Sequence, residues 1–312
     1  MKTLLFPGQG SQLVGMGNEF YNNFNIVKKI FKQTDERLNF SLSKIILEGP
    51  EDKLQLTENT QPAILTVSYS IFTVLKEEFN FNSNFKYFAG HSLGEYSALV
   101  CSGALNFEDA LYLLNERGKY MQAAVPLGRG KMVAILGENI SEINNFISSL
   151  EKKNGICEVA NDNADGQVIV SGDKECIEKL QIILKEKKIK TIPLKVSAPF
   201  HCSLMKPAAD NMEKKIHDTK FVSPKIKIVS NVTATAEHNS DKIKDLLVKQ
   251  INSTVRWRES LIYMSKNGVN NFIEIGPGKA LIGMVKRTLK DVNSFSINSI
   301  TDIKNLINEF KK

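Results

Sequence analysis

The sequence has few cysteines and no long hydrophobic run. Its four cysteines show no CxxC spacing and no signal peptide precedes them, so we expect reduced, mostly buried thiols rather than a zinc site or a disulfide framework. The longest apolar stretch, Ala63 to Leu75, is short and interrupted by Thr, Ser and Tyr, which argues against a membrane span. Tandem repeats and low-complexity linkers are also absent. These absences predict a soluble cytoplasmic protein with no membrane contact.

Positive charge is in modest excess. Lys and Arg number 41 against 34 Asp and Glu, which gives a net charge of +7. The lysines are scattered over amphipathic segments and form no stripe of arginine and aromatic side chains, so nucleic-acid binding is not expected. Hydrophobic residues make up 42% and charged residues 24% of the 312 residues. These ordinary values exclude a disordered or collagen-like chain and predict one large domain, or one and a half.

The order of strand and helix patterns at the start of the chain is typical of an α/β protein. An apolar strand at Thr3 to Phe6 precedes helical patterns near 18 to 32 and 61 to 78, then a strand and turn over 86 to 100, then a helix from Asn106 to Met121.

Residues 131 to 195 have a different pattern, in the order strand, helix, strand, strand, helix, strand, with the first helix predicted to end at Lys152. This order is typical of a ferredoxin-like unit. We therefore predict a discontinuous large domain made of residues 1–125 and 197–312, with a small domain of residues 126–196 inserted into it. Such an insertion creates a cleft between the two domains, a preferred place for a ligand.

The segment Gly90-His91-Ser92-Leu93-Gly94 links a predicted strand to a predicted helix. A serine at such a turn is held away from its own backbone, and the start of the following helix favours negative charge beside it. We therefore expect Ser92 to be a nucleophile. The alternative is a glycine-rich turn whose serine only caps the helix.

A serine nucleophile needs a base, and the chain contains four histidines. His91 adjoins the serine but points in another direction at a sharp turn, so we expect it to shape the pocket. His217 and His238 lie in polar surroundings typical of the surface. His201 stands where the chain re-enters the large domain beside the predicted cleft, and we expect it to be the base. The neighbouring Cys202 is a poor nucleophile, because adjacent side chains cannot easily form the contact that activates a thiolate.

Arg117 falls on the apolar stripe of its helix, where a buried guanidinium needs an anion. One interpretation is a structural salt bridge to a distant carboxylate, or an arginine that reaches the solvent. The other is bidentate recognition of a substrate carboxylate.

The loop Pro7-Gly8-Gln9-Gly10-Ser11-Gln12 follows the first strand. Its glycines let backbone N–H groups approach a ligand, and it lacks the Gly-Lys-Ser/Thr sequence of a phosphate-binding loop. An amide of this loop, together with the amide of Leu93, is predicted to form an oxyanion hole.

Several separated motifs resemble, in order and along nearly the whole chain, those of the malonyl-CoA:acyl-carrier-protein transacylases of bacterial fatty-acid synthesis. More broadly they resemble the acyltransferase domains of polyketide synthases. The motifs are Phe6-Pro7-Gly8-Gln9-Gly10-Ser11-Gln12, Gly90-His91-Ser92-Leu93-Gly94-Glu95, Arg117-Gly118, Pro199-Phe200-His201, Gln250 with Val255-Arg256-Trp257, and Glu274-Ile275-Gly276-Pro277-Gly278.

The resemblance implies an α/β-hydrolase-like large domain with an inserted ferredoxin-like small domain. It implies a Ser92 nucleophile, His201 as general base and acid without a carboxylate third member, and Arg117 as the clamp for the substrate carboxylate. The remaining implied roles are oxyanion donation by the amides of Gln9 and Leu93, orientation of His201 by the carbonyl of Gln250, and lining of the cleft by Asn161.

The implied reaction is a ping-pong transfer of malonyl from malonyl-CoA, through Ser92, to the phosphopantetheine thiol of acyl carrier protein. No metal or bound cofactor is expected. Phe200 before His201 resembles the pattern of malonyl-selective rather than methylmalonyl-selective members. Carrier protein is acidic in this family, so Lys286 and Arg287 are expected to help bind it.

Three alternatives stay open at this point. A trans-acting polyketide-type acyltransferase would have the same motifs. A serine thioesterase or esterase would use the same turn, although Arg117 and the absence of an evident Asp or Glu before His201 in triad order argue against it. A silent carrier-binding or scaffold module would need neither these residues nor Ser92.

Overall fold

The computed structural model describes residues 1–81, 84–150, 155–196 and 198–311. The predicted helix end at Lys152 and the first residue of the second part of the predicted large domain, Ser197, lie outside these ranges. The described strands, in chain order, are β1 (Lys2–Phe6), β2 (Phe85–Gly90), β3 (Gly130–Leu136), β4 (Cys157–Ala164), β5 (Gln167–Asp173), β6 (Lys190–Pro193), β7 (Lys227–Val229), β8 (Ala236–Glu237), β9 (Asn271–Ile275) and β10 (Asn293–Ile297).

The described helices fill the intervals between these strands. They are α1 (Asn18–Asn23), α2 (Asn25–Leu38), α3 (Leu42–Glu48), α4 (Glu51–Gln55), α5 (Thr57–Glu77), α6 (Gly94–Cys101), α7 (Phe107–Ala123), α8 (Ile140–Ser148), α9 (Lys174–Glu186), α10 (Lys206–Asp218), α11 (Ser240–Gln250), α12 (Trp257–Lys266), α13 (Ala280–Thr288) and α14 (Ile300–Lys311). The protein is thus a mixed α/β structure, as the sequence predicts.

A six-stranded sheet has the order β10-β9-β1-β2-β7-β8, and its paired strands run parallel except for the short β8. The apolar strands β1, β2 and β9 lie at its centre, buried under helices on both faces, as parallel sheets require. In the register of β1 and β2, Phe6 is opposite Gly90. The loops that follow these two strands therefore leave the same edge of the sheet side by side.

A smaller four-stranded sheet has the order β4-β5-β3-β6, with antiparallel neighbours throughout. Helices α8 and α9 pack on one face through a separate apolar cluster that includes Val133, Ile135, Ile177 and Leu180. The element order β3, α8, β4, β5, α9, β6 is the order that the sequence predicts for residues 131 to 195.

The two sheets are joined where β4 meets the segment that precedes α12. The main chain of Val255 donates to Ala160 O at 2.8 Å and accepts from Asp162 N at 3.0 Å. The guanidinium of Arg258 also binds the carboxylate of Asp162, with Nε 3.0 Å from Oδ1. This junction fixes the intervening residue, Asn161, beside the cleft.

Two helix predictions differ from the structure. The pattern near 18 to 32 is two helices, because Phe24 is extended between α1 and α2. Helix α5 begins at Thr57 and contains Pro62, which has no N–H to donate to Glu58 O. The side chain of Asn115 donates to that oxygen instead at 3.0 Å, so α5 continues through the proline.

Nothing in the described part of the chain is a helix both long and apolar enough to cross a membrane.

Candidate active site

Ser92 lies at the apex of a sharp turn between β2 and α6. Its φ of 53° is in the left-handed region that residues other than glycine rarely adopt. Two glycines make the turn possible: a Cβ on Gly90 would lie 1.9 Å from Gly94 O, and a Cβ on Gly94 would lie 2.2 Å from Phe6 O. The turn presents the serine hydroxyl at the N-terminus of α6, where negative charge is favoured.

His201 meets Ser92 from a distant part of the chain. The Oγ of Ser92 is 2.7 Å from Nε2 of His201, and Nδ1 of His201 is 2.9 Å from the main-chain oxygen of Gln250. Because a carbonyl oxygen only accepts, Nδ1 carries the ring proton and Nε2 is free to accept the serine proton. Burial, and then the positive charge of Arg117, lowers the pKa of His201 to about 3, which keeps the ring neutral.

Arg117 is a buried cation beside the serine, with only 1% of its surface exposed. Its NH1 donates to Gln61 Oε1 at 2.6 Å, and its NH2 donates to Ser92 Oγ at 3.1 Å and Gln250 Oε1 at 3.0 Å. Its Nε has no partner, and among the described residues no carboxylate lies within ion-pair distance of the guanidinium. The guanidinium of Arg117 is therefore held by neutral oxygen atoms, and its positive charge remains available to pair with an anion.

Gln250 forms hydrogen bonds with Ser92, His201 and Arg117. Its main-chain oxygen faces His201, and its side-chain oxygen accepts from Arg117. Its Nε2 donates to Ser92 O at 3.1 Å and to Glu95 Oε2 at 2.7 Å. The carbonyl contact is the one that the resemblance implies, and the side-chain contacts extend it.

Asn231, fully buried, supports the turn from the end of β7. Its Oδ1 accepts from Ser92 N at 2.7 Å, and its Nδ2 donates to Gly90 O at 2.8 Å. Its main-chain N–H donates to Glu95 Oε2 at 3.1 Å. Strand β7 pairs with β2, which brings Asn231 to the turn. The strained backbone of Ser92 is thus held by hydrogen bonds on both sides.

The backbone N–H groups of Leu93 and Gln9 donate to no other group in the ranges that the structure covers. Both residues border the same cavity as Ser92 and His201. The loop that contains Gln9 is next to the turn because His91 N donates to Phe6 O at 3.0 Å. Unpaired N–H groups at these positions have the chemistry of oxyanion donors.

The cavity has a volume of about 530 Å³. Its walls come from both parts of the chain: Gln9, Gly10, Gln12, Glu51, Gln55, Gln61, His91, Ser92, Leu93, Arg117, Met121, Met132, Asn161, Leu194, Lys195, Val196, Phe200 and His201. Asn161 is 6% exposed and lies on this wall from β4. All the predicted site residues except Gln250 line the cavity, and Gln250 is in contact with three of them.

Three histidines and one cysteine are not expected to act as base or nucleophile, and their positions agree with that expectation. His91 borders the cavity and its Nε2 is 2.8 Å from Asn163 Oδ1. His217 and His238 are partly exposed. Cys202 is buried with its Sγ 3.1 Å from Pro199 O, and burial raises the pKa of its thiol to about 11, so a thiolate is disfavoured.

Sequence reasoning missed three polar residues of this site. Glu95 stands in an otherwise apolar helical stretch, a signal that could have identified it. Gln61 follows the polar residues 57–60 at the start of α5 and does not stand out from them. Asn231 has no such signal, because its position depends on the pairing of β7 with β2. Within the described residues, no group of three or more His, Cys, Asp or Glu side chains is arranged to hold a metal ion.

Residues 3–308 match the family described as acyl transferase domain. The malonyl CoA-acyl carrier protein transacylase of Bacillus subtilis is 40% identical over 309 residues, which are 99% of this chain and 96% of that protein. The acyl-carrier-protein S-malonyltransferase of Bartonella henselae superposes with a TM-score of 0.96 at 38% identity, covering 100% of this chain and 99% of that one.

A further match is a chain from the holo complex of a type II PKS acyl-carrier protein with its malonyl-transacylase. It has a TM-score of 0.95 at 36% identity and covers 99% of both chains. The chain therefore belongs to the acyl transferase family and, within it, to the malonyl CoA-acyl carrier protein transacylases.

Proposed function

We propose that this protein transfers the malonyl group of malonyl-CoA to the phosphopantetheine thiol of acyl carrier protein. The malonyl-carrier protein that it forms supplies fatty-acid synthesis. The observation that carries the proposal is the cation of Arg117, which contacts the hydroxyl of Ser92 and has no carboxylate partner in the part of the chain that the structure describes. The carboxylate at the far end of a malonyl group would pair with this cation. The Bacillus subtilis relative is named for the same donor and acceptor.

The first half-reaction forms a malonyl ester of Ser92. Nε2 of His201 takes the proton from Ser92 as Oγ attacks the thioester carbonyl, and the N–H groups of Gln9 and Leu93 stabilise the oxygen that becomes negative. The tetrahedral intermediate collapses by cleavage of the C–S bond, and His201 returns the proton to the sulfur of coenzyme A.

The second half-reaction reverses these steps with a new thiol. His201 takes the proton from the phosphopantetheine thiol, whose sulfur attacks the ester carbonyl. Cleavage of the C–O bond to Ser92 then releases malonyl-carrier protein, and the proton returns to Oγ. Each proton has a place in this scheme, so we propose that no cofactor takes part.

We also propose that residues 1–125 and 197–312 form an α/β-hydrolase-like domain and residues 126–196 a ferredoxin-like one. The first assignment is supported by the serine turn at the carboxyl end of a central parallel strand. The second is supported by the antiparallel order β4-β5-β3-β6, the arrangement of a βαββαβ unit.

We propose in addition a cytoplasmic location, which is supported by the four free, largely buried cysteines.

The test combines the protein, malonyl-CoA and a phosphopantetheine-loaded acyl carrier protein, with mass spectrometry of the carrier. Malonyl-carrier protein is the expected product. Release of free malonate as fast as malonyl-CoA is consumed would identify a thioesterase. No consumption of malonyl-CoA would identify a silent module.

A polyketide-type acyltransferase is the second candidate, favoured by the match to the type II PKS complex. Competition between a fatty-acid and a polyketide carrier protein for the same malonyl-enzyme distinguishes the two, because the physiological acceptor should react faster.

A further inference from the structure

Glu95 is a buried carboxylate near the reacting residues that the proposed mechanism does not use. It lies in the first turn of α6 and is 2% exposed. Its Oε2 accepts from Gln250 Nε2 at 2.7 Å and from Asn231 N at 3.1 Å. Burying a carboxylate costs free energy even when it is hydrogen-bonded, so its position beside the site needs an explanation.

The side-chain amide of Gln250 stands between Glu95 and Arg117. Its Nε2 donates to the carboxylate, and its Oε1 accepts from the guanidinium at 3.0 Å. An ionised carboxylate only accepts and a guanidinium only donates, so these two neighbours permit a single orientation of the amide. In the reverse orientation both hydrogen bonds would be lost.

Glu95 also places a negative charge near Arg117 without occupying it. A carboxylate in direct contact would take the N–H donors that a substrate carboxylate needs. Burial lowers the pKa of Arg117. The charge of Glu95, which acts across the intervening side-chain amide of Gln250, opposes that change. The cation is therefore stabilised while its free donors remain available.

We infer that Glu95 is a positioning residue for substrate selection, which holds Arg117 through the side chain of Gln250 in readiness for the carboxylate of the acyl donor. The inference rests on the proposed function. The contact between Gln250 and His201 uses the main chain, so Glu95 acts on the choice of donor and leaves the Ser92 and His201 pair in place.

The test is Glu95→Gln, which keeps the shape of the side chain and removes its charge. The rates of Ser92 acylation by malonyl-CoA and by acetyl-CoA are compared at about pH 8, where Glu95 is ionised, since burial raises its pKa to about 7. We expect the ratio of the malonyl rate to the acetyl rate to fall about tenfold, the difference between a charge-assisted and a neutral hydrogen bond. The acetyl rate should fall by much less than the malonyl rate. An unchanged ratio, or an equal fall in both rates, overturns the inference.

Glu274→Gln is the matched control. Glu274 is also fully buried, and burial raises its pKa to about 7. It accepts from the N–H groups of Leu281 at 3.2 Å and Ile282 at 2.9 Å at the start of α13, and it does not line the cavity. The exchange of a buried carboxylate for an amide at this position should leave the malonyl-to-acetyl ratio unchanged.

Gln250→Asn provides a second variant in case Glu95→Gln does not fold. It retains the main-chain oxygen that contacts His201 and draws the amide away from both Glu95 and Arg117. It must lower the same ratio, and a folded variant with the wild-type ratio contradicts the inference. If the wild-type protein forms no malonyl ester, the proposed function has failed before any variant is compared.

Discussion

The NH2 group of Arg117 lies 3.1 Å from the Oγ of Ser92. A malonyl group has a single methylene between its carboxylate and its thioester carbonyl, so a cation that binds the carboxylate must stand next to the nucleophile. The contact between these two residues meets that requirement. It also means that Arg117 serves as a hydrogen-bond donor to the hydroxyl before the substrate arrives.

Arg117→Ala should abolish the preference for a carboxylated donor. Two charge-assisted hydrogen bonds to the carboxylate are lost, so the rate of Ser92 acylation by malonyl-CoA should fall about a hundredfold or more. The rate with acetyl-CoA should be equal to or above that of the wild type. The measurement is the acylation rate with each donor, and an equal loss for both would mean that Arg117 is only structural.

The pH dependence of acylation should show that His201 stays neutral well below its ordinary pKa of 6.5, since burial and the charge of Arg117 lower that pKa to about 3. The neutral ring is the active base, so the rate should be lost only as the pH falls through the lowered pKa. With p-nitrophenyl acetate, which has no carboxylate, kcat/KM should stay level from about pH 8 to about pH 5.

Arg117→Gln is the companion variant for this profile. It removes the charge that lowers the pKa of His201, so the acid limb should move to higher pH. A wild-type limb centred near the ordinary histidine value contradicts the account of the base.

Two glycines in helices should respond in opposite directions to alanine. Gly94→Ala places a Cβ 2.2 Å from Phe6 O and should lower the free energy of unfolding by about 3 kcal/mol or more. Gly283→Ala meets nothing within 4 Å in the middle of α13 and should raise it by about 0.5 to 1 kcal/mol. Urea denaturation of both variants checks the prediction, and a tolerated alanine at Gly94 would disprove the tight turn.

Charge reversal at Lys286 and Arg287 should slow transfer to carrier protein. Both side chains are exposed in the last turn of α13, and Arg287 reaches Gln167 of the smaller sheet at 3.2 Å. Replacing both by Glu should lower the transfer rate about fivefold to tenfold at low salt and weaken its salt dependence. Acylation by p-nitrophenyl acetate should not change.

The same double replacement at Lys28 and Lys29, exposed on α2, controls for net charge. A carrier-protein rate that is unchanged at Lys286 and Arg287, or lowered equally by the control, rules out this docking surface.

The sequence predicts the order of elements in the smaller sheet because each strand and helix there has its own local hydrophobic period. It misses short helices such as α3 and α4, whose few residues give no period to recognise. It also places the start of α5 near residue 61, just before the proline, instead of at Thr57. The hydrogen bond from Asn115 to Glu58 O, which compensates for the proline, is a tertiary contact that the local sequence does not show.

At the candidate site, Ser92, His201 and Arg117 can be identified from local context, a turn, a domain junction and an apolar helical stripe. The support that Asn231 gives to Ser92 depends on which strand pairs with β2. The link from Glu95 to Arg117 depends on where the fold places the side-chain amide of Gln250. Neither contact leaves a mark in the neighbouring sequence.

The most direct test of the account is intact-mass spectrometry of the protein after incubation with malonyl-CoA alone, with the modified peptide then identified. We expect one malonyl ester on Ser92, which disappears when acyl carrier protein is added, and no ester in Ser92→Ala. A malonyl ester that persists in Ser92→Ala, or one that is lost to water before the carrier accepts it, would contradict the account.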